Sequence, residues 1–147
     1  MEIVIKRLQH DDYNIIKNVA PGLFDHPVDP NLTKELLEDR RHPIPLVIDR
    51  GRVIGFAFGV DSLHPDKPPE LWINETAVAP THRRRGLGNA MLHALLEVGR
   101  ARKCIVAWVL THRTPAAAVA LYSSTGGTEG ADSSGPSAAL VGCSYAL

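Results

Sequence analysis

VAPTHRRRGLGNAML, residues 78–92, joins a predicted strand to a predicted helix through a loop rich in arginine and glycine. Gly86 and Gly88 let the backbone approach a ligand closely. The first turn of the helix presents unpaired N–H groups at the positive end of the helix dipole, and the guanidinium groups of residues 83–85 suit phosphate oxygens. We call residues 83–88 the arginine–glycine loop and predict that it binds a pyrophosphate.

The spacing of the glycines excludes two common nucleotide-binding motifs. The P-loop requires G-x-x-x-x-G-K-[ST] and the dinucleotide fingerprint requires G-x-G-x-x-G, whereas Asn89-Ala90-Met91 follows Gly88. The arrangement Arg83-x-x-Gly86-x-Gly88 after Val-x-Pro instead resembles the acetyl-CoA-binding signature of the GNAT superfamily of N-acetyltransferases. A solvated charge run and a nucleic-acid contact are the other interpretations of the arginines, and zero net charge with few aromatic residues disfavours the second.

The resemblance implies acetyl-CoA as the co-substrate. We expect no metal, because neither the histidines nor the cysteines have a metal-binding spacing. In the superfamily the loop amides and the following helix hold the coenzyme A pyrophosphate, and the end of the preceding strand pairs with the pantetheine arm like an added strand. The residues that this assigns to the cofactor are Ala77, Val78, Arg83, Arg84, Arg85, Gly86, Leu87, Gly88 and Asn89.

The composition is that of one domain without a membrane segment. The chain has 147 residues, 44% hydrophobic and 22% charged, and we expect residues 1–147 to form a single domain. No run reaches the roughly 18 to 20 apolar residues of a membrane span, and the N-terminus lacks the layout of a signal peptide, so we expect a cytoplasmic protein. Cys104 and Cys143 lie in apolar runs at no metal-binding spacing, which predicts buried free thiols.

Periodicity and turn residues predict a mixed sheet with helices on both faces. The predicted strands are residues 3–8, 44–49, 52–60, 71–78, 104–110 and 138–146. The predicted helices are one capped by Asp11 or Asp12 that runs through Val19, and three over residues 30–37, 88–102 and 116–122. A loop with three prolines is predicted from Asp61 to Pro69, and Thr114-Pro115 is predicted to cap the last helix.

This order of elements is typical of the α/β class with a mixed, α+β type of sheet. It also matches the GNAT-type acyl-CoA N-acyltransferase fold. The resemblance implies that the strand ending at the arginine–glycine loop splays from its neighbour and that the cofactor lies in the resulting cleft.

A second match to the superfamily lies in the last predicted helix. Ala118-x-x-Leu121-Tyr122 followed by Gly126 is similar to the pattern A-x-x-L-Y-x-x-x-G-F. The match implies that Tyr122 is catalytic and protonates the coenzyme A thiolate as it leaves, a step that benefits from a positioned proton donor. The other interpretation is a tyrosine that ends a helix and fills the core.

The chain departs from the family pattern at two positions near this helix. It has Pro115 where the family often has a cofactor-binding Asn, and it has Gly127 where Phe is usual. The small size of Gly127 predicts looser packing under the final strands.

Acetyl transfer to an amine also requires a proton acceptor. An alkylamine with a pKa of about 10 is almost fully protonated at neutral pH and cannot attack a thioester. Glu75 is the candidate catalytic base, because it is a carboxylate in the otherwise apolar strand LWINETAV that leads to the loop. There are three other interpretations of Glu75: it binds the substrate ammonium, it pairs with a buried cation, or it lies on an exposed face of the strand. Histidines that fit the role of base by chemistry alone are His26, His64, His82 and His112.

The segments around Glu75 and Tyr122 most resemble the small aminoglycoside 3-N-acetyltransferases of the GNAT type. The resemblance implies that the acceptor is a small cationic amine, the 3-amino group of an aminoglycoside antibiotic, and that residues 23–30 form the loop facing it. Asp29 before a proline is equally a helix cap. An acidic wall suits a polycation, and Asp61 is one of its candidate members. The candidate substrate-binding residues are Asp25, Asp29, Glu75 and His112, the last because it follows a strand whose end is predicted to border the cleft.

Two other functions fit the same residues. One is acetylation of another cationic amine, such as a polyamine or a peptide or protein lysine, and the other is a non-catalytic acyl-CoA-binding regulator. We expect direct transfer rather than an acetyl-enzyme on Cys104, because a thiol within a buried apolar strand has a raised pKa. Related folds often dimerise through their C-terminal strands, so the resemblance also implies a homodimer.

Overall fold

The computed structural model describes residues 3–112, 116–129 and 140–147. The strand order in the sheet is β1-β2-β3-β4-β5-β7-β6, in which β4 and β5 run parallel and the other neighbours antiparallel. The predicted α/β class with a mixed sheet is confirmed. The elements formed by the described residues are β1 (Ile3–Arg7), α1 (Tyr13–Ile16), α2 (Pro30–Glu38), β2 (Pro45–Asp49), β3 (Arg52–Ser62), β4 (Glu70–Val78), α3 (Leu87–Ala101), β5 (Val106–His112), α4 (Ala116–Ser124), β6 (Thr128–Glu129) and β7 (Leu140–Ala146).

Apolar clusters cover the central strands from both faces. On one face α3 buries Met91 and Leu95 against Leu71 and Ile73 of β4. On the other face Phe56 of β3 lies in a cluster with residues of α1 and α2. Because β3 is covered on both sides, residues 53–57 are buried without interruption instead of alternating. Each buried aliphatic side chain contributes about 1.5–3 kcal/mol.

The first two helices differ in how they begin. Asp29 caps α2 as predicted, since its carboxylate accepts hydrogen bonds from the N–H groups of Asn31 and Leu32, both at 2.9 Å. Asp12 stands at the N-cap position of α1 but makes no side-chain cap; its carboxylate accepts from the Gln9 N–H at 2.9 Å.

The prediction that α1 continues through Val19 is wrong, because the helix ends at Ile16. The chain leaves the helix to bond with β3. The Val53 N–H donates to the Asn18 carbonyl and the Ala20 N–H donates to the Val53 carbonyl, both at 2.8 Å. These backbone bonds replace the helical ones that a longer α1 would make.

Two predicted boundaries in the sheet also change. β3 continues through Asp61 and Ser62, which pair with Leu71 and Glu70 of β4 and are therefore not in a loop. The apolar run at β5 is not buried throughout, because Ala107 and Val109 face the core whereas Leu110 is 58% exposed. β6 has two residues, too few to give a sequence pattern. The predicted cap Thr114-Pro115 and residues 133–139 lie outside the described residues.

Candidate active site

The central feature of the site is a strand pair that separates. In the described residues the ladder between β4 and β5 holds two pairs, Leu71 with Ala107 and Trp72 with Trp108. Beyond Trp72 the edge of β4 that faces β5 is not paired with it. This confirms the predicted splay. Such an edge offers backbone N–H and C=O groups to an extended ligand.

A β-bulge at Asn74 shapes the same strand. The partners of β3 pass from Glu75, opposite Phe58, to Ile73, opposite Gly59, so Asn74 is the extra residue. A bulge increases the local twist and changes the direction of the side chains that follow it. Glu75 comes directly after the bulge. The sequence carries no turn or glycine signal for this feature.

The backbone of the arginine–glycine loop enters the left-handed region at two residues, one of them not a glycine. After a 3₁₀ turn at Pro80–His82, Arg84 has φ 62° and Gly86 has φ 73°, both in the left-handed region. Gly86 is the N-cap residue of α3 and provides no side-chain cap, so the first-turn N–H groups are not used in that way. Arg83 points back to the strand, where its Nε donates to the Val78 carbonyl at 3.0 Å.

The loop is anchored to the β2–β3 hairpin by a histidine. His82 Nε2 lies 2.8 Å from an Asp49 carboxylate oxygen, and His82 Nδ1 lies 2.7 Å from the Thr81 hydroxyl. The hydrogen bond from His82 lowers the pKa of Asp49, and the charges of Arg50 and Arg85 act in the same direction. His82 therefore has a positioning role that its chemistry alone did not reveal, and Asp49 is a site residue that the sequence analysis missed.

Helix α4 packs against the first turn of α3, beside the loop. A Cβ built on Gly88 would lie 3.2 Å from a methyl of Leu121, so glycine permits this approach. The Ser124 hydroxyl lies 3.5 Å from the Asn89 amide oxygen. Pro115, just before α4, lies outside the described residues. The contact brings the helix that carries Tyr122 next to the predicted cofactor loop.

Tyr122 is buried and directed at β4. It is 5% exposed, and burial raises the pKa of its hydroxyl, as does the charge of Glu75, while an interaction with the Thr76 side chain lowers that pKa. The Thr76 hydroxyl is itself buried and has no well-formed hydrogen bond within the described residues. Tyr122 thus fills core space, which agrees with the second interpretation of this residue. It also places its hydroxyl beside Thr76, the residue that follows Glu75.

The end of α4 is held by a tyrosine from β7. The Tyr145 hydroxyl donates to the Tyr122 carbonyl at 3.1 Å and lies 2.8 Å from the Thr125 hydroxyl. The expectation of looser packing at Gly127 is wrong, because the Tyr145 ring takes the space. A Cβ at Gly127 would lie 3.0 Å from Tyr145 Cζ and 2.7 Å from the Tyr122 carbonyl oxygen.

Glu75 and Asp25 meet in a cleft on the face of the sheet that carries α1 and α2. The volume of this cleft is about 340 Å³. Glu75 is an exposed residue, yet partial burial of its carboxyl raises its pKa, and the negative charge of Asp25 adds to this. We call the cleft the acceptor cleft, and its main lining residues are Phe24, Asp25, His26, Val28, Phe58 and Glu75.

The remaining walls of the acceptor cleft are apolar and aromatic. Phe24 stacks on Phe56 with ring centroids 4.7 Å apart, and Phe56 lies 4.6 Å from Phe58. Offset aromatic contacts of this kind contribute about 0.5–1.5 kcal/mol beyond burial. They hold Phe24, and with it Asp25, against β3, where Phe58 is the cross-strand partner of Glu75.

The other predicted acidic and basic residues lie elsewhere. Asp29 has its carboxylate in the α2 cap, and Asp61 does not join the acidic wall, because it forms an ion pair with Arg102. His64 lies 3.6 Å from Glu70, whereas His26 lines the cleft. The side chain of His112 lies outside the described residues.

The described residues also bear on the two cysteines, on metal binding and on membrane spans. Cys104 and Cys143 are buried free thiols, as predicted, and burial raises the pKa of both, which makes them poor nucleophiles. Among the described residues no three His, Cys, Asp or Glu side chains come together as a metal site. No helix in that part of the chain has the length and apolar character needed to cross a membrane.

The chain belongs to the acetyltransferase (GNAT) family, whose sequence profile matches residues 7–126. Among curated proteins it is similar to the L-2,4-diaminobutyric acid acetyltransferase of Nocardia farcinica (strain IFM 10152), with 40% identity over 47 residues. That match spans 32% of this chain and 23% of the relative, so the chain covers about a quarter of the relative's length.

Solved structures show the same fold. The chain superposes on a chain of the NatC complex bound to Gag peptide and CoA with a TM-score of 0.77 and 18% identity, covering 100% of this chain and 99% of the other. It also superposes on an aminoglycoside acetyltransferase from an uncultured soil metagenomic sample in complex with sisomicin, with a TM-score of 0.71, 17% identity and coverage of 84% and 87%.

Proposed function

We propose that this protein transfers the acetyl group of acetyl-CoA directly to a primary amine. The observation that carries the proposal is the position of two proton-transfer groups around the open edge of β4. Glu75 lies in the acceptor cleft. Tyr122, which is on α4, interacts with the side chain of Thr76, the residue after Glu75 in β4. Adjacent strand residues point to opposite faces of a sheet, so the two groups approach the open edge from opposite sides.

The loop and the strand edge fit acetyl-CoA. The N–H groups at the start of α3 receive no side-chain cap from Gly86, and with the arginines before them they suit a pyrophosphate. The β4 edge at Ala77 and Val78 suits the amide groups of a pantetheine arm, because it can exchange backbone hydrogen bonds with an extended ligand. In this arrangement the thioester lies between Glu75 and Tyr122.

The two residues have complementary roles in the reaction. Glu75 accepts a proton from the substrate ammonium, which frees the nitrogen lone pair to attack the thioester carbonyl carbon. The C–N bond forms, the C–S bond breaks, and Tyr122 donates its proton to the departing thiolate. The second proton of the amine nitrogen leaves as the amide forms and restores Tyr122 through solvent. A raised pKa makes Glu75 a stronger base and keeps Tyr122 protonated before the transfer.

An aminoglycoside, acetylated at its 3-amino group, is the acceptor that we propose first. The carboxylates of Asp25 and Glu75 meet in the acceptor cleft and provide two anionic contacts for a polycation. The fold neighbour that was crystallised with sisomicin supports this choice. Acetylation would remove a positive charge from the drug and confer resistance.

The apolar lining of the acceptor cleft favours a second candidate, a peptide amino terminus with an apolar side chain. Phe24, Val28 and Phe58 offer a surface for such a side chain, while Asp25 and Glu75 would hold the ammonium group. The fold neighbour bound to the Gag peptide supports this candidate.

The test is release of free thiol from acetyl-CoA by the purified protein with sisomicin, spermidine or a short peptide with an apolar first residue. We expect saturable turnover of sisomicin. Asp25→Asn should impair sisomicin more than the peptide, and Phe58→Ala should do the reverse. Turnover of the peptide alone would overturn the aminoglycoside assignment. Binding of acetyl-CoA with no turnover of any amine would favour an acyl-CoA-binding regulator.

We also propose that the enzyme is a cytoplasmic homodimer. This rests on the resemblance of its fold to acetyltransferases that pair through their C-terminal strands. Light scattering on the protein as it elutes from a size-exclusion column should give twice the 16.0 kDa mass of one chain. A mass of one chain at micromolar concentration would contradict the dimer.

A further inference from the structure

A second cleft lies at the C-terminal end of α2. It has a volume of about 270 Å³ and is bounded by the end of β1, the last turn of α2 and the segment that leads into β2. It shares Leu36 with the acceptor cleft and no other lining residue. We call it the basic cleft, and the lining residues that matter here are Arg7, Leu8, Leu36, Arg40, Ile44 and Arg102.

One wall of the basic cleft is aliphatic. Leu8 and Ile44 are buried, and the Leu8 N–H donates to the Ile44 carbonyl at 2.8 Å, which fixes this wall. Leu36 and Leu37 of α2 are half-buried and complete it. An aliphatic wall of this size can hold the hydrocarbon part of a small molecule, and burial of each methylene contributes favourably.

The charged lining residues of the basic cleft carry more positive than negative charge. Arg7 and Arg40 form no ion pair with any described residue, whereas Arg102 pairs with Asp61. The acidic lining residue is Asp39, and its carboxylate is engaged by Arg41 at 2.7 Å and by His42 at 3.4 Å. Two guanidinium groups therefore face the cleft with free donors.

Arg7 and Arg102 also repel each other. Burial lowers the pKa of Arg7, and the charge of Arg102 lowers it further, while Asp61 opposes the change. Like charges held together cost free energy, and a bound anion would remove that cost. The combination of free guanidinium donors and an aliphatic wall defines the ligand class.

We propose that the basic cleft binds a small organic carboxylate. Its carboxylate accepts hydrogen bonds from Arg7 and Arg40, and its hydrocarbon part lies on Leu8, Leu36 and Ile44. This site is separate from the arginine–glycine loop, so it can be tested with that loop filled by coenzyme A. The proposal does not depend on which amine the enzyme acetylates.

The test is calorimetric titration of the full chain, saturated with coenzyme A, with hexanoate as the probe. Hexanamide serves as its neutral isostere and inorganic phosphate as an anion without a hydrocarbon part. We expect saturable 1:1 binding of hexanoate, at least about tenfold weaker binding of hexanamide, and a loss of about tenfold in Arg7→Gln and in Arg40→Gln. Lys34→Gln, on the same helix but outside the basic cleft, should bind hexanoate like the parent chain.

Four results would overturn the proposal. The first three are no saturable binding of hexanoate, equal binding of hexanoate and hexanamide, and equal effects of the two arginine variants and Lys34→Gln. The fourth is tighter binding of phosphate than of hexanoate, which would assign the site to another ligand class. Thermal unfolding of each variant shows whether it is folded, and a nuclear magnetic resonance titration of folded variants at the same probe concentrations locates the contacts.

Discussion

The arginine–glycine loop and the acceptor cleft are built in opposite ways. The loop is one continuous segment whose proposed function rests mainly on backbone N–H groups, and His82 with Asp49 anchors it to the β2–β3 hairpin. The acceptor cleft is assembled from segments that are distant in sequence, among them residues 24–28, Phe58 and Glu75. A continuous backbone site tolerates changes of its side chains, whereas an assembled site depends on the packing of each wall. The comparison therefore predicts larger effects for single changes in the parts assembled from distant segments, namely the acceptor cleft and the packing around Tyr122, than for changes in the loop.

The largest effect is expected from Tyr122→Phe, which removes the proposed proton donor and keeps the ring. We expect a loss of about 10²-fold in kcat with little change in the KM for acetyl-CoA. The matched control is Tyr145→Phe, which removes a hydroxyl bonded to the Tyr122 carbonyl and not to the thioester. It should cost about 1 kcal/mol of stability and leave most of kcat. Equal kcat losses in the two variants would make Tyr122 a structural residue.

The next effect tests the packing that positions Tyr122. Gly127→Ala places a Cβ 2.7 Å from a backbone carbonyl oxygen, which cannot move as a flexible side chain would. We expect a loss of about 1–3 kcal/mol in the free energy of unfolding. Gly142→Ala is the control, because its nearest neighbour would be a Leu110 methyl at 3.6 Å. If urea unfolding gave the same midpoint for the two variants, the tight packing at Gly127 would be refuted.

A smaller effect is expected in the loop itself. Gly86→Ala has open space around the new Cβ but keeps φ at 73°, which is unfavourable for alanine by about 1–2 kcal/mol. The KM for acetyl-CoA should rise while kcat stays near that of the parent chain. Steady-state kinetics with acetyl-CoA as the varied substrate measures both. A fall in kcat at unchanged KM would place Gly86 in the chemistry instead of in cofactor binding.

The smallest effect is expected from Asp49→Asn, which weakens the anchor of the loop. The pKa of Asp49 is lowered in the folded protein, so its contribution to stability is present above the ordinary carboxyl pKa of about 3.9 and is lost as pH falls below it. The variant should be less stable than the parent chain at pH 7, and this difference should be smaller near pH 2. Denaturant titrations at the two pH values check this, and a difference that does not shrink in acid would contradict the role of His82.

Sequence patterns predict the loop better than the cleft for a physical reason. The glycine loop before α3 and the approximate start of that helix follow from local residue types, as does the Asp29 cap of α2. The bulge at Asn74 depends on pairing between β3 and β4, which no single segment encodes. The same holds for the Tyr145 ring that fills the space beside Gly127. The sequence indicates that Asp61 belongs to the acidic wall, whereas the fold pairs it with Arg102, which is distant in sequence.

The role of Glu75 is the central claim, and the pH dependence of kcat/KM tests it most directly. Thiol release should be followed from pH 5 to 9 for the parent chain, Asp25→Asn and Glu75→Gln, with an amine that the parent chain acetylates. For the parent chain, kcat/KM should rise with pH through the raised pKa of Glu75. Asp25→Asn should move this rise to lower pH, because it removes a negative charge, and Glu75→Gln should abolish it and lower the plateau. An unchanged acidic limb in Glu75→Gln would contradict the assignment of Glu75 as the base.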